Sequence, residues 1–331
     1  MNADVGLARQ RISADRTLLR EMYSLMLLSR EIDRVAGGAD AHWHASEGEE
    51  AVLAACYCAL RSGDHVVPHY RGMLQAAVAR GADLRQLLAG LTGKLTSHSR
   101  GRYRSDVCAP IEFKLIGLYS GALGPTLGYA AGTALAAKLD GSDAVTLAVF
   151  GDGTSSRGDF HEALNLASVL RLPVVYVCQN NQLAISTPAQ RGVGAHSIAD
   201  RGAAYGIPGV SADGNDVIGL RATIEAAVAR ARRGQGPTLI EALTYRVAGH
   251  LVADSAPYRS ADEVTSWRAR DPIARLRAHL MEHDMLNAAD DEALRRALVE
   301  RADAAMAAAV ADPEPGPDVL GLDQVFARST E

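Results

Sequence analysis

Hydrophobic and polar positions along the chain follow two periods, one of fully covered strands and one of amphipathic helices. From Val145 to Phe150 the residues are continuously apolar and rich in β-branched side chains, which predicts a strand buried on both faces. Gly151-Asp152-Gly153 ends it. Phe160, Leu164, Ala167 and Leu170 then recur three or four apart, with Arg157, Asp159, Glu162 and Arg171 left for the wet face, and this predicts a helix that Pro173 stops. A second apolar run, Val174 to Cys178, leads into Gln179-Asn180-Asn181. Such crossovers are right-handed and parallel, so the loops at Asp152 and Asn181 are expected to leave the same carboxyl edge of one sheet and to meet.

The alternation continues on both sides. Residues 1–15 read as a loose arm. Thr17 is placed to cap a helix carrying Leu18, Met22, Leu25, Met26 and Ile32, and Gly37-Gly38 to end it. Ser46-Glu47-Gly48-Glu49-Glu50 opens a helix through Tyr57, its acidic start suited to the helix dipole. Ser62-Gly63-Asp64 turns into His65-Val66-Val67-Pro68, with Tyr70-Arg71 following. Leu127–Leu139 is a helix of small residues. Tyr205–Val210 reads as a buried strand, 217–233 as a helix, and Thr238–Leu243 as another strand, ending in Thr244-Tyr245-Arg246-Val247-Ala248-Gly249-His250. The segment 261–311 is helical with a break at Asp271-Pro272, and 312–317 is an extended linker. The closing stretch, Val319 to Phe326, is expected to dock on a neighbouring subunit. These elements predict an α/β fold with a doubly wound, mainly parallel sheet, as a single domain over 1–331 with an N-terminal arm, 1–15, and an extended C-terminal tail, 312–331. No internal repeat interrupts it.

Composition narrows the function classes. The chain has 331 residues, 48% hydrophobic and 22% charged, an ordinary balance for a globular protein. A net charge of −5 argues against nucleic acid as the main partner. The first residues lack an apolar h-region, and no apolar run approaches the ~20 residues needed to span a bilayer, so a cytoplasmic protein without membrane contact is expected. Cys56-x-Cys58 reads as helix packing, because no zinc-type pair accompanies it.

Asp152 and Asn181 supply a carboxylate and an amide oxygen, hard donors suited to a magnesium ion that keeps positions for water and phosphate. The glycines around Asp152 let backbone amides approach an anion, and the helix expected just after Asp152 turns its positive end toward it. A lone GDG is also an ordinary strand-to-helix turn, and Asn-Asn an ordinary polar loop. Together, with a helix and a strand between them, they resemble the thiamine diphosphate signature. Gly48-Glu49-Glu50-Ala51, Asp64 to Tyr70-Arg71, His161-Glu162-Ala163-Leu164-Asn165, Ala184-Ile185-Ser186-Thr187-Pro188 and Tyr245-Arg246 to Gly249-His250 extend the match. From about Leu18 to Phe326 the chain resembles the alpha subunits of thiamine-dependent 2-oxo acid dehydrogenases, the group of pyruvate, branched-chain 2-oxo acid and acetoin dehydrogenases.

The resemblance implies a thiamine diphosphate-binding fold and assigns roles. Asp152, Asn181 and the Leu183 carbonyl are implied Mg2+ ligands. Tyr70, Arg71, Gly153, Thr154 and His250 are implied at the diphosphate, the backbone near Leu118 and Ser120 at the aminopyrimidine ring, and Ile185 beneath the bent cofactor, where ordinary core packing is the alternative. His250 is the implied catalytic histidine, titrating near neutrality. His98 stands one place before the family's second histidine, and His42 and His44 are specificity candidates. Between Leu91 and Leu118 the sequence departs from its relatives, and Arg100, Arg102 and Arg104 either form a solvated loop or face an anionic substrate or partner. Leu251 replaces a serine that some relatives phosphorylate. Decarboxylation of a small 2-oxo acid with acyl transfer to lipoamide is the implied reaction. The implied partners are a beta subunit carrying the pyrimidine-binding domain and the activating glutamate, in a heterotetramer, and a lipoyl-bearing acyltransferase core. Two other readings stay open: a split carboligase or transketolase-like subunit passing its carbanion to an aldehyde, and a non-catalytic scaffold subunit.

Overall fold

The computed structural model describes residues 2–106, 109–117 and 123–320. Among these, the strands are β1 (His65–Val67), β2 (Thr146–Gly151), β3 (Val174–Asn180), β4 (Leu183–Ala184), β5 (Thr187–Pro188), β6 (Gly209–Asp213) and β7 (Thr238–Leu243). The helices are α1 (Asn2–Ser13), α2 (Arg16–Ala39), α3 (Glu50–Tyr57), α4 (Met73–Ala79), α5 (Leu84–Leu91), α6 (Pro125–Leu139), α7 (Gly158–Val169), α8 (Ala189–Gly192), α9 (Val217–Arg232), α10 (Ala261–Arg268), α11 (Pro272–Glu282) and α12 (Ala288–Ala311). The central sheet runs β1-β2-β3-β7-β6, parallel throughout, while β4 and β5 form a small antiparallel hairpin. Gly151 lies opposite Gln179, and Asn180 opposite Leu243. The loops after β2, β3 and β7 therefore leave at one level of one edge.

The continuous apolar runs are explained by burial on both faces. Leu147, Val149, Val175 and Val177 enter a core shared with α2, α3, α9 and the C-terminal helices, whereas Ala148, Phe150, Tyr176 and Cys178 enter a second core with α6 and α7. This is the doubly wound α/β sheet that the pattern predicts. Cys56 and Cys178 are buried and unpaired, as packing residues.

Several local expectations need correction. Residues 2–13 are a helix and not a loose arm. Ile12 is fully buried, and Arg9 and Arg11 pair with Asp216 and Glu225 near the start and middle of α9. Asp15, not Thr17, caps α2, accepting from Leu18 N at 3.0 Å. That helix runs through Gly37-Gly38, because Val35 and Ala36 still face the core and Asp40 N–H closes the last turn on the Ala36 carbonyl. A single 3₁₀ turn, Asp152–Ser156, separates Asp152 from α7, so the dipole of α7 begins several residues later than expected. The strand read as buried from Tyr205 is β6, which starts at Gly209 and lies at the sheet edge with its faces largely open. Ile207, ahead of it, is buried in the core, while Tyr205 and Ala212 pack against it partly buried.

The tail also differs. Asp271 breaks the helical tail as expected, accepting from Ile273 N at 2.8 Å. Past α12, the described part of the chain as far as Val319 lies on its own 94–102 loop. Asp312 pairs with Arg85 and accepts from Thr96, Lys94 pairs with Glu314, Leu95 N donates to Pro313 O at 2.9 Å, and Arg102 Nε donates to Val319 O at 3.0 Å. The loop has donors in excess, and the tail brings acceptors. Residues 321–326 lie outside the described residues.

One tight turn joins α3 to the exit of β7. Thr244 Oγ1 donates to Gly48 O at 2.9 Å, and Val247 N to Glu47 O at 3.1 Å. Gly48 adopts φ +92, and a Cβ there would stand 2.5 Å from Tyr245 O and 2.7 Å from Val247 Cγ2. Replacing Gly48 by alanine is expected to cost about 2 kcal/mol of stability, from left-handed strain and the clash together. Thermal unfolding checks this, and an unchanged Tm would show that the turn relaxes freely.

Candidate active site

Five segments converge at the carboxyl edge: the exits of β1, β2, β3 and β7, and the start of α3. Asp152 sits in the 3₁₀ turn after β2, buried. Burial pushes its carboxyl up to about 6; the Glu49 carboxylate adds to this, while the backbone N–H groups of Asp152 and Gly153 and the Arg246 charge oppose it. Gly153 has no room for a side chain, since a Cβ there would lie 2.8 Å from Ala184 Cβ. Thr154 is buried beside it.

The two asparagines after β3 divide their work. Asn180 is structural: its Nδ2 donates to Glu241 at 2.7 Å and its Oδ1 accepts from Gln182 N at 3.1 Å. Asn181 faces the site. Its Nδ2 donates to Glu49 Oε1 at 3.0 Å and Oε2 at 3.1 Å, and its Oδ1 accepts from Leu183 N at 3.2 Å. The Leu183 carbonyl accepts from Arg246 Nη1 at 3.1 Å, which leaves its second lone pair free. Arg246 Nη2 also donates to Ile185 O at 2.6 Å and Tyr258 Oη at 2.7 Å. Ile185 occupies the left-handed region, φ 57, with 60% of its surface exposed. Ordinary core packing is thereby excluded for it, and a β-branched residue held in that conformation marks a built feature.

Arg71 is buried, donating to Ala45 O and, at 3.0 Å, to His250 O; its Nε lies 3.5 Å from Glu49 Oε1. Tyr70 stacks near His69 and His44, with centroids at 4.2 and 4.8 Å, and the His44 ring meets His250 at 4.9 Å. Asp254 holds the His250 loop, accepting from His250 N at 2.7 Å and from Tyr258 Oη at 2.6 Å. Of the histidines singled out in the sequence, His44 and His250 join this cluster. His42 does not: its side chain is 80% exposed, beside Asp40. His98 is drawn elsewhere, with Nδ1 2.9 Å from Glu112 Oε1 and its ring edge-on to Phe113, in the loop that the C-terminal tail ties down. Arg104 pairs with Asp40 and Asp106, so this member of the arginine run is internally neutralised. Leu118 and Ser120 lie outside the described residues.

Sequence reading missed four members. Glu49 enters the sequence reading as a helix-start acid and part of a family motif with no site role, yet it is fully buried and accepts from Gln179 and Asn181. Arg246 and His69 had no role, and Gln179 was only the residue before an asparagine pair. The one available signal was two successive acids at an otherwise apolar helix start, where Glu50 is neutralised by Arg30 at 2.7 Å and Glu49 is turned the other way.

Electrostatics set what this cluster can hold. Burial, then repulsion from Arg71, lowers His44 to about 3 and His250 to about 4, and His69 well below the usual range. The expectation of a His250 titrating near neutrality is corrected on that ground. Burial, followed by Arg71, also lowers Arg246. The Nε atoms of Arg71 and Arg246 and the Nδ1 atoms of His69 and His250 are buried without hydrogen-bond partners. Desolvated cations with idle donors fit an anion. Among the described residues no group of three or more His, Cys, Asp or Glu side chains is placed to hold a metal. The oxygens of Asp152, Asn181 and Leu183 suit instead a magnesium ion completed by phosphate and water.

The chain matches the family model described as Dehydrogenase E1 component over residues 20–318. It is similar to the 3-methyl-2-oxobutanoate dehydrogenase subunit alpha of Mycobacterium tuberculosis (strain ATCC 25618 / H37Rv), 39% identical over 273 residues covering 81% of this chain and 71% of the relative. It is similar also to the pyruvate dehydrogenase E1 component subunit alpha of Rhizobium meliloti (strain 1021), 36% identical over 315 residues covering 91% and 88%. With the 2-oxoisovalerate dehydrogenase subunit alpha of Bacillus subtilis (strain 168) it shares 33% identity over 320 residues, covering 93% and 95%.

A histidine whose folded pKa is depressed stays neutral while its unfolded counterpart charges, so stability falls as pH drops from 6.5 toward 4. The His250 imidazole is expected to titrate by NMR with a midpoint near 4. Added inorganic pyrophosphate is expected to move that midpoint upward, because it offsets the guanidinium charges. A midpoint at the ordinary histidine value in both states would remove the cationic pocket from the argument.

Proposed function

The chain belongs to the dehydrogenase E1 component family as the alpha subunit of a thiamine diphosphate-dependent 2-oxo acid dehydrogenase, and we propose that its carboxyl-edge cluster holds the Mg2+-diphosphate end of that cofactor. The observation that carries the placement is the pair of buried guanidinium groups, Arg71 and Arg246, whose Nε atoms make no hydrogen bond, Arg71 lying against Glu49 and Arg246 against the Leu183 carbonyl. In this reading Asp152, Asn181 Oδ1 and the Leu183 carbonyl ligate Mg2+, while Tyr70, Arg71, the Gly153 N–H, Thr154 and His250 receive the diphosphate. Ile185, exposed and in the left-handed region, would supply apolar support for the cofactor. The backbone at Leu118 and Ser120 is assigned to the aminopyrimidine ring by resemblance alone.

Bound thiamine diphosphate supplies a carbon nucleophile for the carbonyl of a 2-oxo acid and an electron sink when CO2 leaves. The residues of this chain bind and orient. Buried walls around Arg71 and Tyr70 exclude water from the charged end, which strengthens each contact there. His250, neutral in the bare chain, gains basicity once the diphosphate offsets Arg71 and Arg246, and it is then suited to handle a proton during acyl transfer to lipoamide. His44, edge-on to His250, is the remaining specificity candidate.

As an alpha subunit the chain is one part of a multicomponent assembly. The proposed partners are a beta subunit carrying the pyrimidine-binding domain and activating glutamate, in a heterotetramer, and a lipoyl-bearing acyltransferase core. Among the described residues no helix is long and apolar enough to cross a membrane. A cytoplasmic setting belongs to the proposal. The dehydrogenase and E1-component names of the relatives favour this reading over the carboligase and scaffold readings.

The test is co-expression with the beta subunit, titration with thiamine diphosphate and Mg2+, and CO2 release from a panel of straight and branched 2-oxo acids with an artificial electron acceptor. Release coupled to acceptor reduction is expected, with the preferred acid naming the substrate. Binding with no release from any acid would sink the dehydrogenase assignment. Asp152→Ala is expected to abolish Mg2+-dependent cofactor binding, and retention of wild-type affinity would overturn the metal assignment. His250→Ala is expected to slow acylation of lipoamide by about a hundredfold or more while leaving cooperative unfolding intact. Full acylation by that variant would remove its part in transfer.

A further inference from the structure

The two ends of a carboxamide are nearly alike in shape, so their hydrogen bonds decide which end points where. Only the oxygen of Asn181 can ligate a cation; the inverted amide would present an NH2 group and repel it. We propose that Glu49 is a positioning residue that fixes the Asn181 carboxamide with its oxygen toward the metal. The inference rests on the assignment of Asn181 as a Mg2+ ligand in the functional reading.

Hydrogen bonds on both sides of the amide carry it. Glu49 accepts from Asn181 Nδ2 with both carboxylate oxygens, at 3.0 and 3.1 Å. An ionised carboxylate is acceptor-only, so an inverted Asn181 would set oxygen against oxygen in a buried place. On the other side Leu183 N donates to Asn181 Oδ1 at 3.2 Å, and inversion would oppose two donors there. Both neighbours select one orientation.

Glu49 is itself held. It is fully buried; Gln179 Nε2 donates to it, Arg71 Nε lies 3.5 Å away, and its own N–H donates to Ser46 O at 2.9 Å. Although Glu49 precedes the first residue of α3, its side chain makes no capping hydrogen bond to that helix. The carboxylate is directed away from the role its sequence position suggests and toward the β3 exit. Its negative charge also stands between the Arg71 cation and the ligand amide, so Arg71 donors do not compete for Asn181 Oδ1.

The test exchanges the two groups. The complex of this chain with its beta subunit is titrated with Mg2+ at saturating thiamine diphosphate by calorimetry, for wild type, Glu49→Gln, Asn181→Asp and the double variant. A carboxylate at 181 is intrinsically the harder ligand, so charge alone predicts tighter Mg2+ binding for Asn181→Asp. Positioning by Glu49 predicts the reverse, a loss of about tenfold or more, because two carboxylates face each other with no donor between them. Adding Glu49→Gln restores a donor, and the double variant is expected to recover most of the loss, a coupling that a counter-ion role for Glu49 toward Arg71 does not produce. Effects that simply add, or tighter binding by Asn181→Asp alone, would overturn the proposal. Should Asn181→Asp not assemble, Glu49→Ala is read by the same titration, with about tenfold weaker Mg2+ expected and unchanged affinity overturning the proposal. A wild-type complex that binds neither Mg2+ nor cofactor defeats the functional reading beneath the inference, and is distinguishable from a wild type that binds while the coupling is absent.

Discussion

A guanidinium taken out of water must be met by acceptors, and at this sheet edge two of them, Arg71 and Arg246, are buried close enough to disturb one another. Their compensation links otherwise separate parts of the chain. Arg71 takes the carbonyls of Ala45 and His250; Arg246 takes those of Leu183 and Ile185 and the Tyr258 hydroxyl; Glu49 supplies a carboxylate beside them. In this way the loop before α3, the exit of β1, the β4–β5 hairpin and the His250 loop are locked into one body. The compensation is incomplete, since each arginine keeps an idle Nε. That shortfall is the feature on which the proposed diphosphate site rests.

The sheet makes the convergence possible. With Gly151 level with Gln179 and Asn180 level with Leu243, parallel strands deliver Asp152, Asn181 and Arg246 to adjacent positions without long loops. The burial that makes the strands continuous in apolar character also keeps the edge dry enough for charge to act strongly. The depressed histidines follow from the same cause: a dry place already occupied by fixed cations is a poor one for another proton.

Away from this edge, the loop that departs most from the family pattern is stabilised by the chain's own end. Residues 94–102 are covered by the segment after α12, through Asp312, Pro313, Glu314 and Val319. His98 is consequently engaged with Glu112 and Phe113, and Arg104 with Asp40 and Asp106. Three basic residues of this stretch, Lys94, Arg102 and Arg104, are thus engaged by acceptors of the same chain.

The central strands and the helix between them were legible in the sequence because each is specified by its own spacing: the runs 145–150 and 174–178, the helix between them, and the Asp271-Pro272 break all depend on neighbours within a few residues. The GDG turn and the asparagine pair were legible for the same reason, and parallel crossovers then place both at one edge. What local pattern could not reveal was the company these residues keep. The edge position of β6 and the tail folded on its own loop are each decided by which surface lies opposite. In the site, the sequence by itself, through its family resemblance, pointed to Asp152, Asn181, Arg71 and His250 as members of one proposed site. Only the tertiary structure placed Glu49 and Arg246 beside them, set His42 and His98 apart, and surrounded His250 with the burial and cationic charge that lower its pKa. The physical reason is that burial, charge and hydrogen-bond direction at that edge arise among residues near 49, 71, 181 and 246, which the folded chain brings together and no stretch of sequence contains.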